Sequence, residues 1–208
     1  GDHVLFLVDA STSMLGRTYV NVIRYRNMSD QMKVKAPKWR QVVNSVDWLT
    51  TRLKPGTKFQ IYAFNEDAQT IISGSDGNWI EVKDGNEIDA AIQDLKSVVP
   101  DKGTSLVNAF SQINQLSPRP DNIFLITDGR PQDRGYSREG VEKEYAVYDT
   151  RQALIEARQQ GITPFCLTVD KSGHDYLKTM MDDFSYEVLS DISMLPASLP
   201  ELYKILTT

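Results

Sequence analysis

The fold of this 208-residue chain is decided by residues 3–14, which read His-Val-Leu-Phe-Leu-Val-Asp-Ala-Ser-Thr-Ser-Met. Five apolar residues follow one another, and an acid and two serines come directly after them. A continuous apolar run is typical of a strand that is covered on both faces, as strands of parallel sheets are. We therefore predict a core strand at His3–Val8 whose carboxyl end carries a polar loop.

Similar short apolar runs recur along the chain and alternate with helical patterns. Strands are predicted at His3–Val8, Lys58–Phe64, Thr70–Ser73, Trp79–Val82, Asn122–Thr127, Thr163–Val169 and Tyr186–Leu189. Helices are predicted from apolar stripes that begin at Trp39, Ile88, Leu106 and Ala153, and from a capping-box pattern at Ser198 and Glu201. This alternation predicts an α/β fold, with a doubly wound, mostly parallel central sheet flanked by helices, as in Rossmann-like proteins.

Composition indicates one globular domain and disfavours nucleic acid as a partner. Hydrophobic residues make up 40% of the chain, charged residues 25%, and the formal net charge is -5. The basic residues are interpreted as scattered rather than clustered.

The single cysteine, Cys166, lies in an apolar run, so we expect it to be buried. A chain without disulfides fits a reducing, cytoplasmic location. No apolar run approaches the roughly 20 residues of a membrane span.

Two long segments interrupt the alternation of strands and helices. Leu15–Ala36 mixes aromatic residues and methionines with charges, and Pro131–Tyr148 is rich in charge and glycine. Both are long for loops of a compact domain, so each is either a functional lid or an insertion with a short helix of its own. We expect Leu15–Ala36 to fold over the carboxyl edge of the sheet and to shape partner selectivity.

Polar residues that follow the predicted strands, or precede a helix, indicate a metal site. Asp9, Ser11 and Ser13 follow the first strand, Asp128 follows the Asn122–Thr127 strand, and Thr104 precedes the third helix. In an open parallel sheet, ligands bind beyond the carboxyl ends of the strands. All five side chains offer hard oxygen atoms, which are the ligands that Mg²⁺ prefers. Taken singly, each also suits a structural role, since Ser11 and Ser13 are good helix caps and Asp128 with its glycine is a common turn.

The order Asp-x-Ser-x-Ser, Gly-Thr before a helix and Asp-Gly after a strand resembles the metal-ion-dependent adhesion site of von Willebrand factor A domains. That resemblance implies that Ser11, Ser13 and Thr104 contribute hydroxyls, while Asp9 and Asp128 bind the ion directly or through water. It also implies Mg²⁺ as the ion, with Mn²⁺ or Ca²⁺ as possible substitutes. A carboxylate from a partner protein would complete the shell.

A narrower resemblance is to the nitric oxide reductase activation protein (NorD) and to the rubisco-activase adaptor (CbbO). It is carried by Tyr145–Leu154, Glu156–Asp170, His174–Leu177 and Leu195–Tyr203. In those families the domain forms the C-terminal part of a longer protein. It works beside a MoxR-type AAA+ ATPase that remodels a metalloenzyme or matures its cofactor. The resemblance therefore implies a single domain, residues 1–208, cut from a longer chain.

Three functions remain open from the sequence. The first is a cytoplasmic, non-catalytic adaptor whose Mg²⁺ captures an Asp or Glu of a MoxR-type ATPase or of a metalloenzyme client. The second is an extracytoplasmic adhesion module that binds a surface or matrix protein. The third is a metal-dependent hydrolase, which is disfavoured because Ser11 stands where an aspartyl-phosphate enzyme has its second acid. Two histidines also cannot supply a zinc cluster.

Overall fold

The computed structural model describes residues 2–128, 151–169 and the backbone of residues 185–188. The predicted features at Pro131–Tyr148 and around Ser198 and Glu201 lie outside these ranges. The described elements are β1 (His3–Asp9), a 3-10 turn η1 (Thr12–Leu15), α1 (Tyr19–Arg26), α2 (Asp30–Lys33), α3 (Pro37–Thr50), β2 (Lys58–Phe64), β3 (Ala68–Thr70), β4 (Ile80–Glu81), α4 (Asn86–Lys96), α5 (Leu106–Ile113), β5 (Asn122–Thr127), α6 (helical residues 151–159), β6 (Thr163–Thr168) and β7 (Ser185–Val188).

The described strands form one mixed, mostly parallel sheet. Its order is β3-β2-β1-β5-β6-β7, and β4 also pairs with β2. Strands β2, β1, β5, β6 and β7 run parallel, whereas β3 and β4 are antiparallel to β2. The chain builds outward from β1 first towards β2 and later towards β5, so the carboxyl ends of β1 and β5 border the switch point where such sheets bind ligands. The predicted α/β fold is confirmed.

Each face of the sheet carries its own layer of helices. Side chains alternate along β1, so that Val4, Phe6 and Val8 lie in one core cluster while Leu5 and Leu7 lie in the other. The first cluster contains the apolar stripes of α3 and α4, and the second contains those of α5 and α6. This double cover is the reason that β1 has no polar position from Val4 to Val8.

Several predicted boundaries differ from the structure by a few residues, and two of them have a visible cause. The apolar stripe that begins at Trp39 continues to Leu53, but helix α3 ends at Thr50, because the hydroxyls of Thr50 and Thr51 donate to the backbone carbonyls of Asp47 and Trp48. Leu53 is still buried, but it follows the helix.

The strand predicted at Thr70–Ser73 is Ala68–Thr70, since the backbone N–H of Ser73 donates to the carboxylate of Asp94 and does not join the sheet. Cys166 is buried, as predicted. No helix within the described part of the chain is long and apolar enough to cross a membrane.

Candidate metal site at the switch point

The loop after β1 brings three of the predicted ligands together. Asp9 is the last residue of β1, and one of its carboxylate oxygens accepts a hydrogen bond from the Ser11 N–H at 2.9 Å. The hydroxyl oxygens of Ser11 and Ser13 lie 3.0 Å apart, and all three residues are buried. Ser11 precedes η1, but its side chain makes no capping hydrogen bond. The capping role considered for Ser11 from the sequence is therefore not what the structure has.

Thr104 lies on a second loop, which is tied to the first by backbone hydrogen bonds. The N–H of Thr12 donates to the carbonyl of Lys102 at 2.9 Å, and the N–H of Asp101 donates to the carbonyl of Ala10 at 2.9 Å. Lys102 adopts a left-handed φ of 63°, which turns the chain sharply before Gly103 and Thr104. The Thr104 hydroxyl is buried and has no hydrogen-bond partner among the described residues.

Asp128 follows β5 and is fully buried. The preceding residue, Thr127, donates its hydroxyl to the second carboxylate oxygen of Asp9 at 2.8 Å, so the ends of β1 and β5 are joined at the site. Sequence reasoning missed this contact, because a threonine at the end of a strand gives no distinguishing signal.

Lys38 is the second residue that sequence reasoning missed. Its ammonium group places a positive charge beside Asp128. Its ammonium group lies 3.2 Å from a carboxylate oxygen of Asp128, and both side chains are fully buried. The same nitrogen donates to the carbonyls of Ser13 at 3.0 Å and Gly16 at 3.2 Å. A cation in the first turn of α3 is unfavourable beside the helix dipole, and Asp128 offsets that cost. A usable signal existed, since Lys38 stands four residues before the core residue Val42 on the apolar stripe.

Burial and the nearby charge of Asp128 change the protonation of Asp9. Burial, followed by the charge of Asp128, raises the pKa of Asp9 from 3.8 to about 7. Hydrogen bonds from Ser11 and Thr127 offset only part of this rise. The site therefore favours any positive charge that reaches Asp9.

The donor set fits a hard divalent cation. All five predicted ligands are buried at the same edge of the sheet, and the hydroxyl of Thr104 is the one that lacks a described partner. Hydroxyl and carboxylate oxygens are the chemistry that Mg²⁺ prefers. Three of the five donors are hydroxyls, and among the described residues no group of three or more His, Cys, Asp or Glu side chains is placed to hold a metal ion. Occupancy by Mg²⁺, Mn²⁺ or Ca²⁺ remains a prediction.

We expect Mg²⁺ to bind about tenfold more weakly at pH 6 than at pH 8, because the ion must displace the proton that Asp9 holds below pH about 7. The raised pKa means that the metal-free domain is more stable with Asp9 protonated than with Asp9 ionised. This added stability is complete below pH about 4 and is lost as the pH rises through about 7. Calorimetric titrations at both pH values, in two buffers of different ionisation enthalpy, measure the affinity and the protons released. Equal affinities with no proton release would contradict this prediction.

Comparison with known proteins identifies the family of this chain. The sequence profile of the von Willebrand factor type A domain matches residues 4–130, which is more than half of the chain. The chain therefore belongs to the von Willebrand factor A-type domain family.

Within that family, the chain is similar to NorD. The NorD protein of Stutzerimonas stutzeri is 31% identical over 137 residues, which are 65% of this chain and 22% of that protein. An uncharacterised Pseudomonas aeruginosa protein is 29% identical over 155 residues, covering 72% of this chain and 24% of its own length. The chain thus spans less than a quarter of these relatives. The predicted relationship to NorD is confirmed, and membership in the family indicates a protein-interaction domain.

Solved structures share the fold. An aerotolerance-related membrane protein of Bacteroides fragilis superposes with a TM-score of 0.62 at 16% identity, covering 98% of this chain and 100% of that one. A von Willebrand factor type A protein of Catenulispora acidiphila gives a TM-score of 0.60 at 15% identity, covering 99% of this chain and 42% of that one. At these identities the likeness concerns the fold alone.

Proposed function

We propose that this domain is a non-catalytic adaptor that captures a carboxylate of a partner protein at a Mg²⁺ ion held by Asp9, Ser11, Ser13, Thr104 and Asp128. The observation that carries the proposal is the Thr104 hydroxyl, which is buried at the site without a described hydrogen-bond partner. A buried polar group left unpaired costs about 1–3 kcal/mol, so its retention here favours a role in holding a ligand.

The charges of the site favour an anionic partner. Asp9 and Asp128 contribute two negative charges when both are ionised, and Lys38 contributes one positive charge. A bound divalent ion supplies an excess of one positive charge and a coordination position that a partner's carboxylate can take. The buried Lys38 thus makes the loaded site more attractive to an acid than the five predicted ligands would be alone.

The partner that we propose is a MoxR-type AAA+ ATPase, a metalloenzyme client of that ATPase, or both. Support comes from the similarity to NorD, which favours the adaptor over an extracytoplasmic adhesion module. In this proposal the domain acts in the cytoplasm, during activation of a metalloenzyme or maturation of its cofactor.

Replacement of Thr104 by Val tests the metal site with little change of shape. If the hydroxyl is a metal ligand, Thr104→Val should weaken Mg²⁺ binding at least about tenfold. It should leave the metal-free domain as stable as wild type or up to about 2 kcal/mol more stable, because it removes an unpaired buried hydroxyl. Calorimetry with MgCl2 and denaturant unfolding in EDTA measure the two effects.

The matched control for this substitution is Thr57→Val. Thr57 stands just before β2, at the opposite edge of the sheet. Its replacement should leave the Mg²⁺ affinity unchanged. Wild-type Mg²⁺ affinity in Thr104→Val would refute a ligand role for Thr104. A loss of metal-free stability would instead show that this hydroxyl serves the fold.

A further inference from the structure

Helix α1 lies directly beside the loop that carries Ser13. It packs against η1, and a Cβ atom added to Gly16 would meet the Cβ of Asn21 at 2.8 Å and the backbone nitrogen of Val22 at 2.9 Å. The segment is also tied to the far side of the edge, because the guanidinium of Arg17 donates to the carbonyl of Val169, just after β6, at 3.1 Å. The expected position of Leu15–Ala36 at the carboxyl edge is therefore found for α1.

This helix leaves an apolar face uncovered. None of its residues is buried, and Tyr19, Val20 and Ile23 are 79%, 73% and 40% exposed. Their spacing places all three on one side of the helix, while Tyr25 packs against the core from the other side. Four of the five large exposed hydrophobic side chains in the described residues lie between positions 19 and 32, which marks this surface out from the rest.

The same segment carries a concentrated positive charge. Residues 17–36 contain five basic residues and one acid, Asp30, although acids outnumber bases in the whole chain by 28 to 23. Arg24 and Arg26 of α1 are exposed, and neither forms an ion pair with any carboxylate in the described ranges. The interpretation that the basic residues are scattered is therefore wrong for this segment.

We propose that Tyr19, Val20, Ile23, Arg24 and Arg26, called the α1 surface here, form a second contact area that selects an acidic, partly aliphatic protein segment. This inference rests on the proposed function. One carboxylate of that segment binds at the metal, neighbouring acids pair with the two arginines, and aliphatic side chains pack on the apolar face.

A protein segment suits this surface better than a nucleic acid does. Three exposed apolar side chains stand beside the arginines, and phosphate backbones offer such side chains no apolar partner. The net charge of -5 also repels a long polyanion, whereas a short acidic segment is exposed mainly to the local positive charge.

The test uses two short fluorescein-labelled peptides, each with one central Asp that has a leucine on either side. In the first peptide a Glu stands outside each leucine, and in the second peptide a Gln stands at the same two positions. In Mg²⁺ at low salt, the wild-type domain should bind the Glu peptide about tenfold more tightly than the Gln peptide. Arg24→Glu with Arg26→Glu should abolish that preference, while Mg²⁺ affinity stays near that of wild type. Fluorescence anisotropy measures the peptides and calorimetry measures the metal.

The matched control is Lys54→Glu with Lys83→Glu, an equal charge reversal on exposed residues at the opposite edge of the sheet. It should keep the preference for the Glu peptide. The apolar part of the surface is tested by Tyr19→Ser with Val20→Ser. This change should weaken binding of both peptides, because it removes apolar side chains on which the leucines would pack. It should not lower the stability of the domain, because both side chains are largely exposed.

Each outcome separates this inference from the proposed function. Equal affinities of wild type for the two peptides, or the same loss in the control variant, would overturn the α1 surface even if Mg²⁺-dependent binding persists. Tighter binding of single-stranded DNA, with displacement of the Glu peptide, would assign the surface to nucleic acid instead. Peptide binding that is unchanged by EDTA would refute the proposed metal bridge and leave the charge preference standing.

Discussion

Replacement of Asp9 by Ala is expected to abolish Mg²⁺ binding and partner capture while the domain remains folded. Asp9 joins the two sides of the site, since it accepts hydrogen bonds from the Ser11 N–H and the Thr127 hydroxyl. Its loss removes one of the two acids that attract the ion, so we expect metal affinity to fall by about a hundredfold or more. The fold should persist because burial and the charge of Asp128 both disfavour the ionised carboxylate of Asp9, as its raised pKa shows. The variant removes that unfavourable buried charge.

Calorimetry with MgCl2 and pull-down of the proposed partner, a MoxR-type ATPase, measure the two losses. Asp67→Ala is the matched control, because Asp67 is an exposed acid in the loop after β2 at the same edge. That variant should bind Mg²⁺ and partner as wild type does. Retention of partner capture by Asp9→Ala would rule out the metal bridge.

Replacement of Lys38 by Met is expected to give the largest loss of stability of any substitution at the site. The variant keeps an unbranched side chain that is one atom shorter, but it leaves Asp128 buried without the ammonium group of Lys38. Removing one member of a buried ion pair costs about 3–5 kcal/mol. For a domain of this size, that corresponds to a fall in Tm of roughly 10 °C in EDTA. Saturating Mg²⁺ should recover part of the loss, because the ion supplies the missing positive charge.

Thermal unfolding in EDTA and in Mg²⁺ measures both effects. Lys54→Met, at an exposed position, should leave Tm unchanged. Lys38→Met combined with Asp128→Asn should be more stable in EDTA than Lys38→Met alone, since the uncompensated charge is gone. An unchanged Tm for Lys38→Met would show that the ion pair does not support the loop around Ser13.

The fold followed from local patterns because its layers impose strict periodicities. A run such as Val4–Val8 has no polar position, which only a doubly covered strand requires, and the stripe from Trp39 to Leu49 matches one face of a helix. Boundaries such as the end of α3 at Thr50 did not follow, because side-chain hydrogen bonds of two threonines decided them.

The five candidate ligands could also be named from the chain alone. Parallel strands end at one edge, so polar residues after β1 and β5 must approach one another whatever the details of packing. The amino-acid order therefore determined that oxygen atoms of Asp9, Ser11, Ser13 and Asp128 gather at this edge. Backbone hydrogen bonds from the loop of Asp101 and Lys102 to the loop after β1 bring Thr104 to the same edge.

Tertiary structure alone decided how those atoms are charged and partnered. The pairing of Lys38 with Asp128 joins residues 90 positions apart. The missing partner of Thr104 and the exposure of Tyr19 and Val20 likewise depend on which groups pack around each side chain. Residue identity states what a group is able to bind, but burial and distance determine whether it is already bound, and both come from contacts between segments that are remote in the chain.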